Sequence, residues 1–93
     1  MRRLRVPQHV VTLVRKLHPS IKRKVRACLV DILRDPAAGK ALKNELDGLR
    51  SYRLGRMRII YREDPRDVVE IVAVGPRSTI YEATARLLKK EEG

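Results

Sequence analysis

Residues 49–81 read LRSYRLGRMRIIYREDPRDVVEIVAVGPRSTIY. Three runs rich in β-branched and aromatic residues are separated by Gly55-Arg56 and by DPRD at 64–67, and a helix start follows them. A two-residue turn at Gly55-Arg56 fixes a register in which Leu54 pairs with Met57, Arg53 with Arg58 and Tyr52 with Ile59. Arg53 and Arg58 then stand opposite each other on one face. Like charges opposed across a ladder are destabilising. Either both guanidinium groups splay into water, or they hold an anion between them.

Working outward, the strands are expected at 50–54, 57–63 and 68–74. The last is nearly all apolar, as for a strand covered on one face and partly on the other. Gly75-Pro76 ends it. Ile80, Ala83, Leu87 and Leu88 then repeat at helical spacing over 78–90, and 91–93 are expected to fray. Upstream, 36–48 shows no period and contains Gly39, Asn44 and Asp47-Gly48, so it reads as a loop. Before it, Ile21, Val25, Cys28, Leu29 and Ile32 form one helical stripe, which Asp35-Pro36 stops. Val10, Leu13, Val14 and Leu17 form another after Pro7. His18-Pro19-Ser20 separates the two helices, with Ser20 as the expected N-cap. Residues 2–6 make a short first strand with Leu4 and Val6 inward. The fold class is therefore α+β, in the order β-α-α-β-β-β-α. A helical hairpin covers one face of an antiparallel sheet. The other face is left relatively open, with Arg53 and Arg58 on it.

The chain has 93 residues, enough for one domain spanning 1–93. Its 22 Lys and Arg against 11 Asp and Glu leave a formal charge of +11. Self-repulsion on that scale points to an anionic partner. MRRLRVP carries charge without an apolar run after it, so no signal peptide is expected, and no stretch approaches membrane-spanning length. Cys28 is alone, which excludes a disulfide framework and a cysteine metal site. A cytoplasmic location and no membrane partner are the expectation. With no Phe or Trp and only three Tyr, a single-strand binder built on aromatic platforms is disfavoured.

His9 and His18 have no nucleophile or metal-ligand spacing beside them and read as surface residues. Cys28 lies on an apolar stripe and reads as core. No cofactor and no metal ion are expected. The arginines differ. Arg53 and Arg58 are cross-strand neighbours, Arg56 sits in the turn between them, and an antiparallel return brings Arg77 to the same end of the sheet. Arginine is always charged and grips phosphate bidentately, so these positions are a candidate phosphate patch. Tyr81 either anchors the last helix or presents its phenol to a base or a ribose hydroxyl, where nearby cations would lower its pKa. Its spacing leaves both open. Lys22, Arg23, Lys24 and Arg26 make the outer face of the second helix strongly basic.

The segments GLRSYRLGRMRIIYRE and VEIVAVGPRSTIYEATARLL resemble the RelE/ParE superfamily of toxins from bacterial and archaeal toxin–antitoxin modules. The helical hairpin ending in Asp35-Pro36, followed by GKALKNELDGL, fits the same family, so the resemblance covers nearly the whole chain. It implies a RelE-like fold. The RelE-like branch cuts messenger RNA in the ribosomal A site by attack of the 2′-hydroxyl on the adjacent phosphate. Carried over position by position, the resemblance puts catalytic roles on Arg58, Arg77 and Tyr81 and phosphate positioning on Arg53. The family's second-strand basic pair falls on Ser51 and Arg53, so the resemblance puts Ser51 in the RNA-binding set as well, although it departs from the family, whose ribonuclease has a basic residue there. Arg56 would add to the RNA-binding surface, and Lys22, Arg23, Lys24 and Arg26 would contact ribosomal RNA. The implied partners are messenger RNA, the ribosome and a cognate antitoxin with an acidic amphipathic segment. Keeping Arg58, Arg77 and Tyr81 together favours this branch over the ParE-like inhibitors of DNA gyrase; an inactive RNA-binding relative is the other alternative.

Overall fold

In the computed structural model, which describes residues 2–92, Gly55 takes a φ of 58° and closes the central turn. Glycine reaches that left-handed region without a Cβ penalty. The turn joins β3 (Arg50–Leu54) to β4 (Met57–Asp64) in the expected register, with Arg53 opposite Arg58. The turn at 64–67 leads into β5 (Val68–Pro76), which pairs antiparallel with β4. Ahead of them come β1 (Arg3–Arg5), α1 (Gln8–Arg15), α2 (Pro19–Arg34) and β2 (Lys40–Ala41); α3 (Ile80–Glu92) follows. Two 3-10 turns, Pro36–Ala38 and Asn44–Leu46, flank β2. Residues 91 and 92 are included in α3, and Gly93 lies outside the described residues.

The five strands lie in the order β1-β5-β4-β3-β2. Two features depart from the sequence reading. The sheet is mixed, because β1 runs parallel to β5, with Leu4 opposite Val69. The stretch 36–48 is not all loop: Lys40 and Ala41 pair with Ser51 and Arg50 as an edge strand. Two exposed residues are too few to show an alternation.

Helix starts follow local chemistry. The N-cap of α2 is His18 rather than Ser20, its ring nitrogen accepting from the Ser20 amide at 3.2 Å. Pro19, at the first helical position, has no N–H to satisfy, so the cap falls one residue before it. On α1, Val10 is buried but Leu13 is 38% exposed, because the helix has only two turns and ends before Leu17.

The sheet carries a separate core on each face. Against α1 and α2, Val10, Cys28 and Ile32 pack on Ile59, Tyr61, Ile71 and Val74. Against α3, Ile60, Val72 and Ala73 pack with Leu49 and Ile80. The second face is thus covered over its middle, not open as expected; its free part is the end at Gly55. Burial of each such aliphatic side chain stabilises the fold by ~1.5–3 kcal/mol. A β-bulge lets β5 serve both layers. The register jumps from Ile60–Ala73 to Tyr61–Ile71, leaving Val72 unpaired, so Val72 and Ala73 both face α3. The ring Nε2 of His9 lies 2.9 Å from the Val72 carbonyl, which needs the Nε2–H form. At the near end of α3, a Cβ on Gly75 would come within 3.1 Å of Ile80 Cδ1, so the helix start rests directly on the β5 backbone.

Candidate functional site

Side chains alternate along a strand, so Ser51 and Arg53 share the α3 face of β3, as Arg58 and Ile60 do on β4. Beyond the edge of the α3 core the face is bare, and the arginines occupy it. Met57 pairs with Pro76, and the Arg77 amide donates to the Arg56 carbonyl at 2.9 Å. This brings the β5 exit against the β3–β4 turn. The result is an open cleft of about 550 Å³ lined by Arg53, Arg56, Arg58 and Arg77 with Gly55, Pro76 and Ser78. The convergence of four arginines expected from the sequence is therefore present in the fold.

No carboxylate lines this cleft, and among the described residues none of the four arginines forms an ion pair. Elsewhere the chain pairs its arginines readily. Arg5 and Arg62 both hold Glu70, Arg62 also reaches Glu91 at 3.8 Å, and Arg66 meets Asp64 at the same distance. Within the cleft, Arg58 is fixed to its own turn, with Nη1 donating to the carbonyls of Gly55 at 3.0 Å and Met57 at 2.8 Å. Both Nη1 hydrogens are used, so its Nε and Nη2 edge is left for a ligand. Four cations gathered without counter-charge give this cleft a positive potential that attracts anions.

Tyr81, in the first turn of α3, lies outside the arginine cleft. Its phenol oxygen is 3.1 Å from the buried Ser51 Oγ. Ser51 is thus a partner of Tyr81, not a member of the cationic lining. The other two tyrosines belong to the opposite face. Tyr52 donates to Asp31 at 3.0 Å, and that bond raises its pKa. The Tyr61 hydroxyl is buried, donating to the Pro36 carbonyl at 2.6 Å and accepting from the Gly39 amide at 2.9 Å. Burial pushes Tyr61 upward, and likewise the Cys28 thiol. Gly39 is required there, since any Cβ would run into the Tyr61 ring.

The basic residues of α2 are not part of the cleft. That helix packs on the face opposite α3. Arg23, Lys24 and Arg26 are exposed on its outside. Half-buried Lys22 joins Arg26 and Arg15 beside an apolar groove between α1, α2 and β5. The sequence reading missed a second cleft, of about 530 Å³, between the 3-10 turn Asn44–Leu46 and α3. Tyr81, Ala85 and Lys89 line it at helical i, i+4, i+8 spacing, which was the available signal.

Comparison with known proteins agrees with this architecture. A family model described as the ParE toxin of the type II toxin–antitoxin system parDE matches residues 6–81. No curated protein sequence matches the chain. Among solved structures, the toxin–antitoxin complex RelBE2 of Mycobacterium tuberculosis contains a chain 33% identical, with a TM-score of 0.73 over 82% of this chain and 98% of that one. The archaeal RelE–RelB complex of Pyrococcus horikoshii gives 24% identity and a TM-score of 0.67, over 82% of this chain and 94% of that one. The intact RelBE complex of E. coli gives 22% and 0.70, over 82% and 96%. These last two are likenesses of fold. With the family match spanning most of its length, this chain belongs to the RelE/ParE superfamily of type II toxin–antitoxin toxins, and within it to the RelE-like branch.

Proposed function

We propose that this toxin is a ribosome-dependent endoribonuclease that cleaves messenger RNA in the ribosomal A site and so arrests translation. The observation that carries the reading is the uncompensated cleft of Arg53, Arg56, Arg58 and Arg77. A phosphodiester seated there meets guanidinium groups from three segments of chain. The ribose 2′-hydroxyl releases its proton to solvent as its oxygen attacks the adjacent phosphorus, the bond to the 5′-oxygen breaks, and that oxygen takes a proton from water, leaving a 2′,3′-cyclic phosphate and a 5′-hydroxyl. Arg58 and Arg77 stabilise the extra negative charge of the phosphorane. The fixed Nη1 of Arg58 holds its free edge in place before the substrate arrives. Arg53 positions the phosphate, and Tyr81, tethered to Ser51, stacks on a base beside it.

Arginine, with a pKa above ~12, is a poor proton shuttle near neutral pH. The ribosome therefore supplies much of the alignment of attacking oxygen and phosphorus. The exposed cations of α2 contact ribosomal RNA from the other side of the molecule. A cognate antitoxin with an acidic segment restrains the toxin in the cytoplasm; the similar solved chains above come from toxin–antitoxin complexes.

The test is primer extension on messenger RNA incubated with the protein, with and without programmed ribosomes. Cuts confined to the A-site codon and dependent on ribosomes are expected, with Arg58→Ala and Arg77→Ala abolishing them. A second reading, a gyrase-directed toxin, is favoured by the ParE description of the matching family model. It requires DNA damage on expression and no cut messenger RNA in either tube.

A further inference from the structure

The two clefts on the α3 face differ in chemistry. The arginine cleft offers cations and no acceptor side chain except Ser78, which suits a phosphate. The cleft between Asn44–Leu46 and α3 offers an aromatic ring, an amide, carboxylates and cations together. That mixture fits a nucleobase, which needs a flat apolar surface for its face and both donors and acceptors for its edge. At about 530 Å³ it lies within the ordinary range of small-molecule sites.

Tyr81, on the wall of the second cleft, connects to the strand that carries Arg53. Tyr81 is bonded to Ser51 at 3.1 Å, and Ser51 lies two residues from Arg53 on the same face of β3. Two residues along a strand span ~7 Å. A strand of RNA whose phosphate rests among the arginines therefore places a neighbouring nucleotide at Tyr81. Asn44, with a φ of 59°, turns the chain at the mouth of this cleft, and Glu45 follows it. Lys43 and Lys89 line the cleft as well and can take the flanking phosphate.

Resting on the nuclease reading above, we infer that this second cleft receives the base next to the scissile phosphodiester and sets which base is accepted. Tyr81 lies along the base. Asn44 and Glu45 accept from an exocyclic amino group, so cytosine, adenine and guanine are preferred to uracil at that position. Arg86 is held only loosely by Glu82, at 3.9 Å with both side chains 76% exposed, and remains available to the base edge or backbone.

The experiment measures cleavage by ribosomes programmed with every A-site codon, using wild type, Glu45→Ala, Asn44→Ala and Arg58→Ala. Asn44 and Glu45 are exposed, so neither variant touches a core; alanine at the φ of 59° strains the turn at position 44, so Glu45→Ala is the deciding variant. The expected result is a discrimination against uracil of roughly tenfold in wild type that falls below about twofold in Glu45→Ala or Asn44→Ala. Arg58→Ala loses all codons alike. A second readout is independent of cleavage: titration of the free protein with a non-cleavable 2′-deoxy dinucleotide, followed by amide NMR shifts. Shifts are expected both at 53–58 and 77 and at 44–46 and 82–89. A wild type that cuts with a codon profile unchanged in the Glu45 and Asn44 variants, or shifts confined to the arginine cleft, overturns the inference and leaves the nuclease reading standing. A wild type that cuts nothing with active ribosomes removes both.

Discussion

Replacing Arg53 by glutamine removes one of two guanidinium groups that face each other across the β3–β4 ladder. Glutamine keeps most of the stem and a polar end, and Arg53 is exposed, so little packing is lost. With the charged ends splayed to ~8 Å, their repulsion is ~0.5 kcal/mol in a fully aqueous dielectric and ~2 kcal/mol at the value typical of pairs near a protein surface. Exposure places Arg53 toward the lower figure, in line with cross-strand pair effects of up to ~1 kcal/mol. Arg53→Gln should therefore stabilise the protein by about 0.5–1 kcal/mol at low salt. For a domain of this size that raises Tm by ~2–8 °C. At 0.5 M NaCl, where the Debye length is ~4 Å, most of the gain should vanish. Thermal unfolding by circular dichroism at 20 mM and 0.5 M NaCl reads both quantities. A variant no more stable than wild type at low salt, or one whose gain persists at high salt, refutes the account of this cleft as a site of uncompensated charge. The same substitution should lower messenger RNA cleavage, since stability at such a site is given up for function.

Tyr61→Phe should cost about 2 kcal/mol in urea unfolding, because it leaves the Pro36 carbonyl and the Gly39 amide without their buried partner. Gly39→Ala should destabilise through the same pair, by about 1–3 kcal/mol, as the new methyl group pushes into the Tyr61 ring. The pKa values of Tyr52 and Tyr61 are raised above the ordinary 10.0, so the folded state holds their protons more tightly than the unfolded chain. Their contribution is present in full below about pH 10 and lost as pH rises through the folded values. Alkaline unfolding monitored at fixed urea should show stability beginning to fall above about pH 9, where the Cys28 thiol of the unfolded chain ionises, and falling more steeply above pH 10, and Tyr61→Phe should flatten the steeper part. Tyr81→Phe should leave stability within ~1 kcal/mol, since its hydroxyl bond to Ser51 is only part-buried. Its effect on ribosome-dependent cleavage, measured beside Tyr81→Ala, separates a stacking ring from a reacting hydroxyl.

The central hairpin was legible because Gly55-Arg56 allows a single short turn, and the register of Arg53 with Arg58 follows from it by counting. Arg77 followed in turn, since an antiparallel strand of β5's length must return to the same end. Other features depend on partners distant in sequence. Nothing in Arg3–Arg5 indicates a parallel neighbour at Val68, and nothing in Lys40–Ala41 distinguishes an edge strand from loop. The covering of the second face by α3 turned on the bulge at Val72, which sends two successive side chains the same way and breaks the alternation that sequence reading uses. Tyr81 was recognised as a residue to watch, but its pairing with Ser51 was not, because a buried serine on a strand shows no sequence pattern.

The parallel pairing of β1 with β5 joins residues 3–5 to residues 68–70. During synthesis the first strand is made long before its neighbour exists, so it must wait unpaired while the chain grows. The arginine cleft waits for the same event. Arg53, Arg56 and Arg58 are made together, but the wall supplied by Arg77 comes only after β5, through the amide it donates to Arg56. Closing the sheet and completing the cleft are thus one late step, set by contacts of long sequence separation. An unfinished chain carries most of the arginines without the site they form.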